Sequence, residues 1–386
     1  MKVLILAPQP FYQERGTPIA IDWVCQALSN RGVDVDVLTF HEGEDRKHKN
    51  VRIFRAKPWF AIKNIKPGFS VKKLICDVFM FFSFIRILNR NKYNAIHAVE
   101  ESAFMALIAY PFSKIPFVYG IDSSMTTQLV DKFSFLKVVE GLLRVMESLP
   151  VRYAQVAAPV CQALADDIAK YKPKNVVILK DASLASDTPI DNIPLLRNEL
   201  GIEGSLIMYI GNLESYQGID LLIDSFAIAC KDLNNLALVI IGGSDEDISK
   251  YKAKVERQNL ESSVFIIGKR PISDISGYMA QADVLVSPRV QGKNTPMKIY
   301  TYLDSDVAVL ATNLPTHTQV MTSDIGVLAE PNTKDFSRGI INIVGDKGLR
   351  KKLASNAKVY IEKEHSFEAF SRTVEKIYDL FPNAIK

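Results

Sequence analysis

The densest set of chemistry-bearing side chains in the sequence is Ser287-Pro288-Arg289-Val290-Gln291-Gly292-Lys293-Asn294-Thr295-Pro296-Met297-Lys298-Ile299-Tyr300. Thr295 is a good helix N-cap and Pro296 a good first helical residue, so the amides that follow, from Met297 on, are expected to stand free at a helix end. Arg289, Lys293 and Lys298 surround that end with positive charge. A diphosphate docked there gains from the helix dipole and from the cations together. Nothing structural needs three cations at a helix N-terminus, so the pattern points to an anion site. Two glycine-bearing loops offer weaker versions of the same device. In Gln13-Glu14-Arg15-Gly16-Thr17-Pro18, Gly16 allows close backbone approach, Thr17 can cap and Pro18 fits a first turn. A plain helix start explains that motif equally well. In Gly211-Asn212-Leu213-Glu214-Ser215-Tyr216-Gln217-Gly218-Ile219-Asp220, two glycines precede a helix carrying Leu221, Leu222, Ile223 and Phe226.

Carboxylates supply the other chemistry. His97, Glu100 and Glu101 end an expected strand, and Asp122 ends the next one, in Tyr119-Gly120-Ile121-Asp122-Ser123-Ser124. An acceptor- or sugar-facing role fits them better than a metal, which would need a further ligand close in space. Asp34-Val35-Asp36, Asp245-Glu246-Asp247 and Asp304-Ser305-Asp306 each spell D-x-D, a metal–diphosphate motif, but the first sits in a strand and the others in polar turns. They read as structural. His41, His48 and His317 show no ligand spacing. No G-x-G-x-x-G follows the first strand, which argues against a nicotinamide oxidoreductase.

The elements that must position these residues are short β-branched runs alternating with helical patterns, the signature of parallel sheets built from βαβ units. Strands are expected at Val3–Ala7, Val33–Thr39, Ala95–Ala98, Phe117–Ile121 and Gln155–Pro159, with a helix over Pro18–Asn30. A second series covers Leu206–Ile210, Leu236–Ile241, Val264–Ile267, Val284–Ser287, Val307–Ala311 and Gly326–Leu328. Two doubly wound α/β domains facing across a cleft follow, joined near Lys180–Asn198. Residues 1–182 with a last amphipathic helix over Phe367–Phe381 form one, and 190–366 the other. Open α/β sheets bind ligands at the carboxyl ends of their strands, where all these loops lie.

Taken in order, the Gly16 loop, Gly211–Asp220, Ser287–Leu303, Val307–Thr312 and the final helix resemble glycosyltransferase family 4, the retaining GT-B enzymes. The resemblance spans essentially the whole chain and is most specific in its second half. It implies a C-terminal domain that binds a UDP- or GDP-sugar, an N-terminal domain that presents a hydroxyl acceptor, and a final helix that crosses back to the N-terminal domain. It also implies that the leaving diphosphate itself serves as base, so no metal or other cofactor is required. Carried over residue by residue, donor binding falls to Gly16, Gly211, Asn212, Gln217, Lys269, Arg270, Arg289, Asn294, Thr295, Pro296, Met297, Lys298, Tyr300 and Thr301. Catalysis or acceptor positioning falls to Asp122, Glu100, Glu101 and His97. The sequence departs from the family where Asn212 and Gln217 replace an Arg and a Lys that hold the diphosphate. It departs again where Gln291 and Tyr300 or Thr301 replace a pair of glutamates, and where Asp122 replaces a His. A decayed relative that binds a nucleotide-sugar or a partner without transfer is the alternative reading.

Length and composition agree with two ordinary domains: 386 residues, 48% hydrophobic and 23% charged. Cys25, Cys76, Cys161 and Cys230 are widely spaced, the pattern of reduced thiols in a cytoplasmic protein. The most apolar internal run, Val78–Ile85, has eight residues, far short of the about 20 that span a bilayer. From Arg46 to Cys76 there are ten Lys and Arg residues and no acid, with Phe54, Trp59, Phe60 and Phe69 among them. Aromatics among unopposed cations suggest a surface, over 46–73, that docks on an anionic membrane and places the cleft near a lipid-linked or glycan acceptor. No nucleic-acid-binding signature accompanies the basic run.

Overall fold

The computed structural model describes residues 1–60, 62–65, 68, 70–184, 193–292 and 294–381. They divide into two compact units, Met1–Asp181 with Phe367–Lys386, and Ala182–Ser366. The described residues build one six-stranded parallel sheet in each unit.

In the first unit the strands are β1 (Lys2–Ala7), β2 (Asp34–Phe40), β3 (Val51–Ala56), β4 (Ala95–Val99), β5 (Phe117–Ile121) and β6 (Val156–Pro159), in spatial order β3-β2-β1-β4-β5-β6. The chain reverses its direction of travel through the sheet between β1 and β4, the switch point at which such sheets bind ligands. The helices are α1 (Gly16–Asn30), α2 (Val71–Arg90), α3 (Ser102–Ser113), α4 (Met125–Lys132), α5 (Glu140–Tyr153) and α6 (Gln162–Ala169). Alternate residues of the sheet, among them Leu4, Leu6, Ile96 and Phe117, pack with Met80 and Phe84 of α2, Met105 and Ala106 of α3 and Val151 of α5. In the second unit β7 (Ser205–Ile210), β8 (Leu236–Ile241), β9 (Val264–Gly268), β10 (Val284–Ser287), β11 (Ala308–Thr312) and β12 (Val327–Ala329) stand in the order β12-β11-β10-β7-β8-β9. Its helices are α7 (Leu196–Glu199), α8 (Ile219–Asp232), α9 (Asp245–Arg257), α10 (Ile272–Met279), α11 (Lys298–Asp304), α12 (Pro315–Thr318), α13 (Thr333–Gly345) and α14 (Lys347–Glu364). The last helix, α15 (Phe367–Asp379), returns to the first unit. It buries Phe370, Val374, Ile377 and Tyr378, sets Phe370 against Trp23 of α1, and pairs Asp379 with Arg31 at 2.6 Å.

Strand β3 lies inside the basic run and is absent from the sequence reading, because its alternation carries Arg52 and Arg55 at a sheet edge. Folding also changes the charge of that run. Arg52 forms a two-pronged bond to Asp36 of β2, Arg46 reaches Asp22 of α1 at 3.1 Å, Arg55 meets Asp45 at 2.6 Å, and Lys73 pairs with Glu101. Four of the ten cations therefore face acids, so the run is not unopposed; Lys66 and Phe69 lie outside the described residues. Trp59 remains 94% exposed and, with Phe60, stands edge-on to Phe79 of α2. The D-x-D triplets have structural jobs: Asp36 is buried under Arg52, Lys2 and Tyr93, Asp247 completes the capping box of α9, and Asp306 turns the chain and bonds Lys358.

Candidate functional site

In the second unit the loops after β7 and β10 interlock. Gly218, with φ +75°, is the N-cap of α8, and a Cβ there would lie 2.0 Å from the Pro288 carbonyl oxygen. Only glycine lets the two backbones close this far. The Val290 amide donates to the Tyr216 carbonyl at 3.0 Å, tying the loops together. Gly211 is held at φ +153°, and a side chain there would press on the Tyr209 hydroxyl and on Lys298 Nζ, at 3.0 and 3.3 Å.

This scaffold gathers two cations. Arg289 is buried, lies over the Tyr216 ring at 5.0 Å, donates from Nε to the Gln291 carbonyl at 2.7 Å and reaches Asn294 Oδ1 at 3.5 Å. Lys298 stands over the Tyr209 ring at 4.0 Å and donates to Gln217 Oε1 at 3.2 Å. Burial, and secondly the Arg289 charge, push its pKa well below the ordinary lysine value; burial lowers that of Arg289 too. Among the described residues no carboxylate pairs with either. Beside them the Thr295 hydroxyl is buried without a hydrogen-bond partner. Uncompensated buried charge is costly, and two such groups with no counter-ion among the described residues make a place that an anion can complete.

Several expected roles change. Thr295 and Pro296 do not open a helix: α11 begins at Lys298, after a turn at Met297, and is only 7 residues long. The anion site therefore rests on side chains rather than on a helix dipole. Tyr300 is buried against the His365 ring, centroids 4.4 Å apart, and the buried Thr301 hydroxyl accepts from the Leu184 amide at 3.2 Å. Both side chains are engaged within the fold of the second unit. Asn212 is exposed, its side chain turning the loop by accepting from the Glu214 amide. Lys269 and Arg270 are exposed at the end of β9, and Arg270 bonds the carbonyls of Ile267 and Lys269. Lys293 lies outside the described residues.

A network that the sequence does not announce holds the arginine loop. His317 is fully buried, its Nδ1 lies 2.9 Å from the Thr312 carbonyl and its Nε2 2.9 Å from Ser287 Oγ. Thr312 Oγ1 in turn donates to the Arg289 carbonyl at 2.5 Å. Burial depresses the His317 pKa to about 3, so the ring is neutral. A neutral ring that donates from Nδ1 to a carbonyl accepts at Nε2 from Ser287. The ends of β10 and β11 thus fix the backbone that aims Arg289.

The first unit has the opposite imbalance. Glu100, at φ +52° just after β4, accepts from Ser123 Oγ at 3.0 and 3.2 Å. Asp122, after β5, takes a hydrogen bond from Thr17, which lies inside α1 rather than capping it; α1 begins at Gly16. Burial first, then the neighbouring carboxylates, raise the pKa of Glu100 well above normal and raise that of Asp122. Glu101 is held by Lys73, whose charge survives burial because that carboxylate stands beside it. His97 does not join this group. It is buried on β4 with Nδ1 3.0 Å from the Tyr378 hydroxyl of α15, and burial lowers its pKa to about 4. Its place is in packing the returning helix. Among the described residues no cluster of His, Cys, Asp or Glu could hold a metal ion.

Parallel six-stranded sheets in both units, with an anion cradle in the second, define a GT-B architecture. Residues 193–360 match the model of the glycosyl transferases group 1, and residues 19–179 match that of glycosyltransferase family 4. The chain belongs to this family and is a glycosyltransferase. It is 20% identical to an uncharacterized glycosyltransferase of Methanocaldococcus jannaschii, over 87% of this chain and 86% of that one. Its fold is shared with a sucrose-phosphate synthase of Thermosynechococcus elongatus (TM-score 0.77, 16% identity, 98% of each chain). It is shared also with HepE of Anabaena, solved in complex with UDP (TM-score 0.76, 16% identity, 97% of this chain and 99% of that one).

Proposed function

We propose that the protein transfers a sugar, with retention, from a UDP- or GDP-linked donor to a hydroxyl of a lipid-linked or envelope-glycan acceptor, at the cytoplasmic face of a membrane. The observation that carries this reading is the pair of buried Arg289 and half-buried Lys298, without a carboxylate partner among the described residues, in a loop that also holds the orphaned Thr295 hydroxyl. A nucleotide diphosphate supplies the missing negative charge, and the UDP bound by HepE is such a ligand. In the reaction the acceptor oxygen bonds to the anomeric carbon on the face from which the diphosphate departs. The sugar–phosphate bond breaks, and the hydroxyl proton passes to a phosphate oxygen. The protein's share is to hold the growing charge of the leaving group on Arg289 and Lys298, a role in which no divalent metal is needed. Glu100 and Asp122, whose pKa values burial raises, serve the acceptor as hydrogen-bonding groups.

Asn212 and Gln217, standing where the family carries cations, favour a second reading, binding without transfer. Thermal melting with UDP and GDP, followed by transfer or hydrolysis of the labelled sugar-nucleotides in EDTA, separates the two. Stabilisation by one nucleotide and turnover in EDTA are expected, since a ligand that binds the folded state raises its stability. Stabilisation without turnover of any sugar supports the binding protein. Loss of turnover in EDTA with restoration by manganese defeats the metal-free mechanism.

A further inference from the structure

The outer face of the first unit's helix layer is apolar where water would favour polar side chains. On α2, residues Leu74, Val78 and Phe82 follow one another at four-residue spacing and are all exposed, Phe82 at 67%. Arg86 and Arg90 continue the same stripe, so it turns from apolar to cationic along one helix. Helix α3, which touches both α2 and α5, has no charged residue along Ser102–Ser113, yet it exposes Ile108 and, at 90%, Phe112. On α5, Leu142, Val145 and Leu149 point outward, at the three- and four-residue spacing of a single helix face. An apolar face shared by three adjacent helices is more than the scattered exposure of an ordinary surface.

Charge decides what fits it. Among the described residues, the exposed charged residues on and beside these helices include Lys72, Arg86, Arg90, Lys114, Lys137 and Arg152, all cations. The acids of the same helices are withdrawn: Glu147 is buried, Asp77 is half-buried, and half-buried Glu140 is tied to Arg144. A protein partner would be expected to meet mixed charges; apolar side chains ringed by cations alone match an acyl boundary beneath anionic head groups.

We infer that the outer face of α2, α3 and α5 docks on an anionic lipid bilayer. The basic run before α2 is then an accessory, since Arg46, Arg52, Arg55 and Lys73 are already engaged with Asp22, Asp36, Asp45 and Glu101. No helix among the described residues is long and apolar enough to cross a membrane, so the attachment is peripheral and reversible. The inference rests on the proposed transfer reaction only in giving the docked face a lipid-borne acceptor to meet; the binding itself does not depend on it.

The experiment is co-sedimentation of the full chain with phosphatidylglycerol–phosphatidylcholine vesicles at low and high salt. Phe82→Asp with Phe112→Asp is expected to lower the partition coefficient about tenfold or more, because each aromatic loses its place at the acyl boundary. Arg86→Glu with Arg90→Glu should lower it by a similar factor at low salt and less at high salt. Lys47→Glu with Lys49→Glu should change it by less than about threefold, as charges away from the face are screened. Every variant is also melted with UDP and GDP. An unchanged nucleotide shift shows that the chain is folded and keeps a failure here separate from failure of the transferase reading. Wild-type binding by the Phe82/Phe112 variant overturns the inference. So does the absence of binding by the wild type, and so does a solution dimer that the variant breaks while vesicles stay unbound.

Discussion

The two units place ionisable groups under similar burial and leave them with opposite imbalances. In the second unit Arg289 and Lys298 stand together without an acid among the described residues; in the first, Glu100, Glu101 and Asp122 stand close together and Lys73 pairs with Glu101. A carboxyl group can relieve burial by keeping its proton, and burial pushes the pKa of Glu100 and of Asp122 in that direction. A guanidinium has no such exit, because it does not deprotonate in proteins. Arg289 is therefore the group whose charge has to be matched by a ligand. The comparison teaches that an acid cluster is self-sufficient while a buried arginine reports on what the protein binds.

Breaking the cationic side should have the largest effect. Arg289→Ala or Lys298→Ala removes a charged hydrogen bond to phosphate, costing about 1.5–3 kcal/mol, or roughly ten- to hundredfold in nucleotide affinity. Titration calorimetry with UDP and GDP measures it. Equal affinity in both mutants moves the diphosphate elsewhere.

A step down in size is His317→Ala. It strands Ser287 Oγ and frees Thr312, and leaving a buried polar group unpaired costs about 1–3 kcal/mol of stability. Because Thr312 holds the Arg289 carbonyl, nucleotide affinity should fall severalfold as well. Chemical denaturation and nucleotide titration read the two effects. Loss of stability with full affinity would show that the network does not aim the arginine.

Protonation sharpens the contrast further. Burial pushes the carboxyls of Asp77 and Asp181 up to about 8, helped by Glu101 and Asp122 respectively, against about 4 in the unfolded chain. The folded first unit then holds the extra protons between those values, so its stability is complete below about pH 4 and is lost as pH rises through about 8. Lys298 has the reverse sign: its lowered pKa favours the neutral amine, and a bound diphosphate restores the charge. Nucleotide binding should be accompanied by proton uptake, measured by calorimetry in two buffers of different ionisation enthalpy. The uptake should vanish in Lys298→Met; its persistence there would assign the proton to another group. Urea unfolding at pH 6 and pH 9 tests the acid side, where Asp77→Asn with Asp181→Asn should flatten the decline.

Much of this was legible in the sequence, and what was not shares a physical reason. Short β-branched runs gave away the strands, since a strand buried on both faces has no other composition to use. Arg289 and Lys298 were legible as cations near a strand end. Strand β3 was hidden because Arg52 and Arg55 interrupt its alternation. Their partners, Asp36 and Asp45, sit 16 and 10 residues away, and Glu101 lies further still from Lys73, so a count along the chain mistook paired charge for free charge. His317 was dismissed for want of ligand spacing, yet its partner Ser287 is 30 residues distant, at the end of β10. The exposure of Phe82 and Phe112 was not legible, because periodicity cannot tell an inward stripe from an outward one.

The smallest expected effect tests whether the structural reading of Tyr300 and Thr301 is right. By the family resemblance these residues lie near a ribose-binding position, whereas the structure sets Thr301 under the Leu184 amide and Tyr300 against His365. Thr301→Val keeps the shape and removes one acceptor, so it should cost about 1 kcal/mol of stability and leave UDP and GDP affinity within about twofold, since nothing else about the cradle changes. Tyr300→Phe, which retains the ring that meets His365, should likewise leave nucleotide affinity within about twofold. Melting curves and nucleotide titration on both variants suffice. A tenfold loss of nucleotide affinity in Thr301→Val with little change in melting temperature would return the residue to the donor site and leave the Leu184 contact incidental.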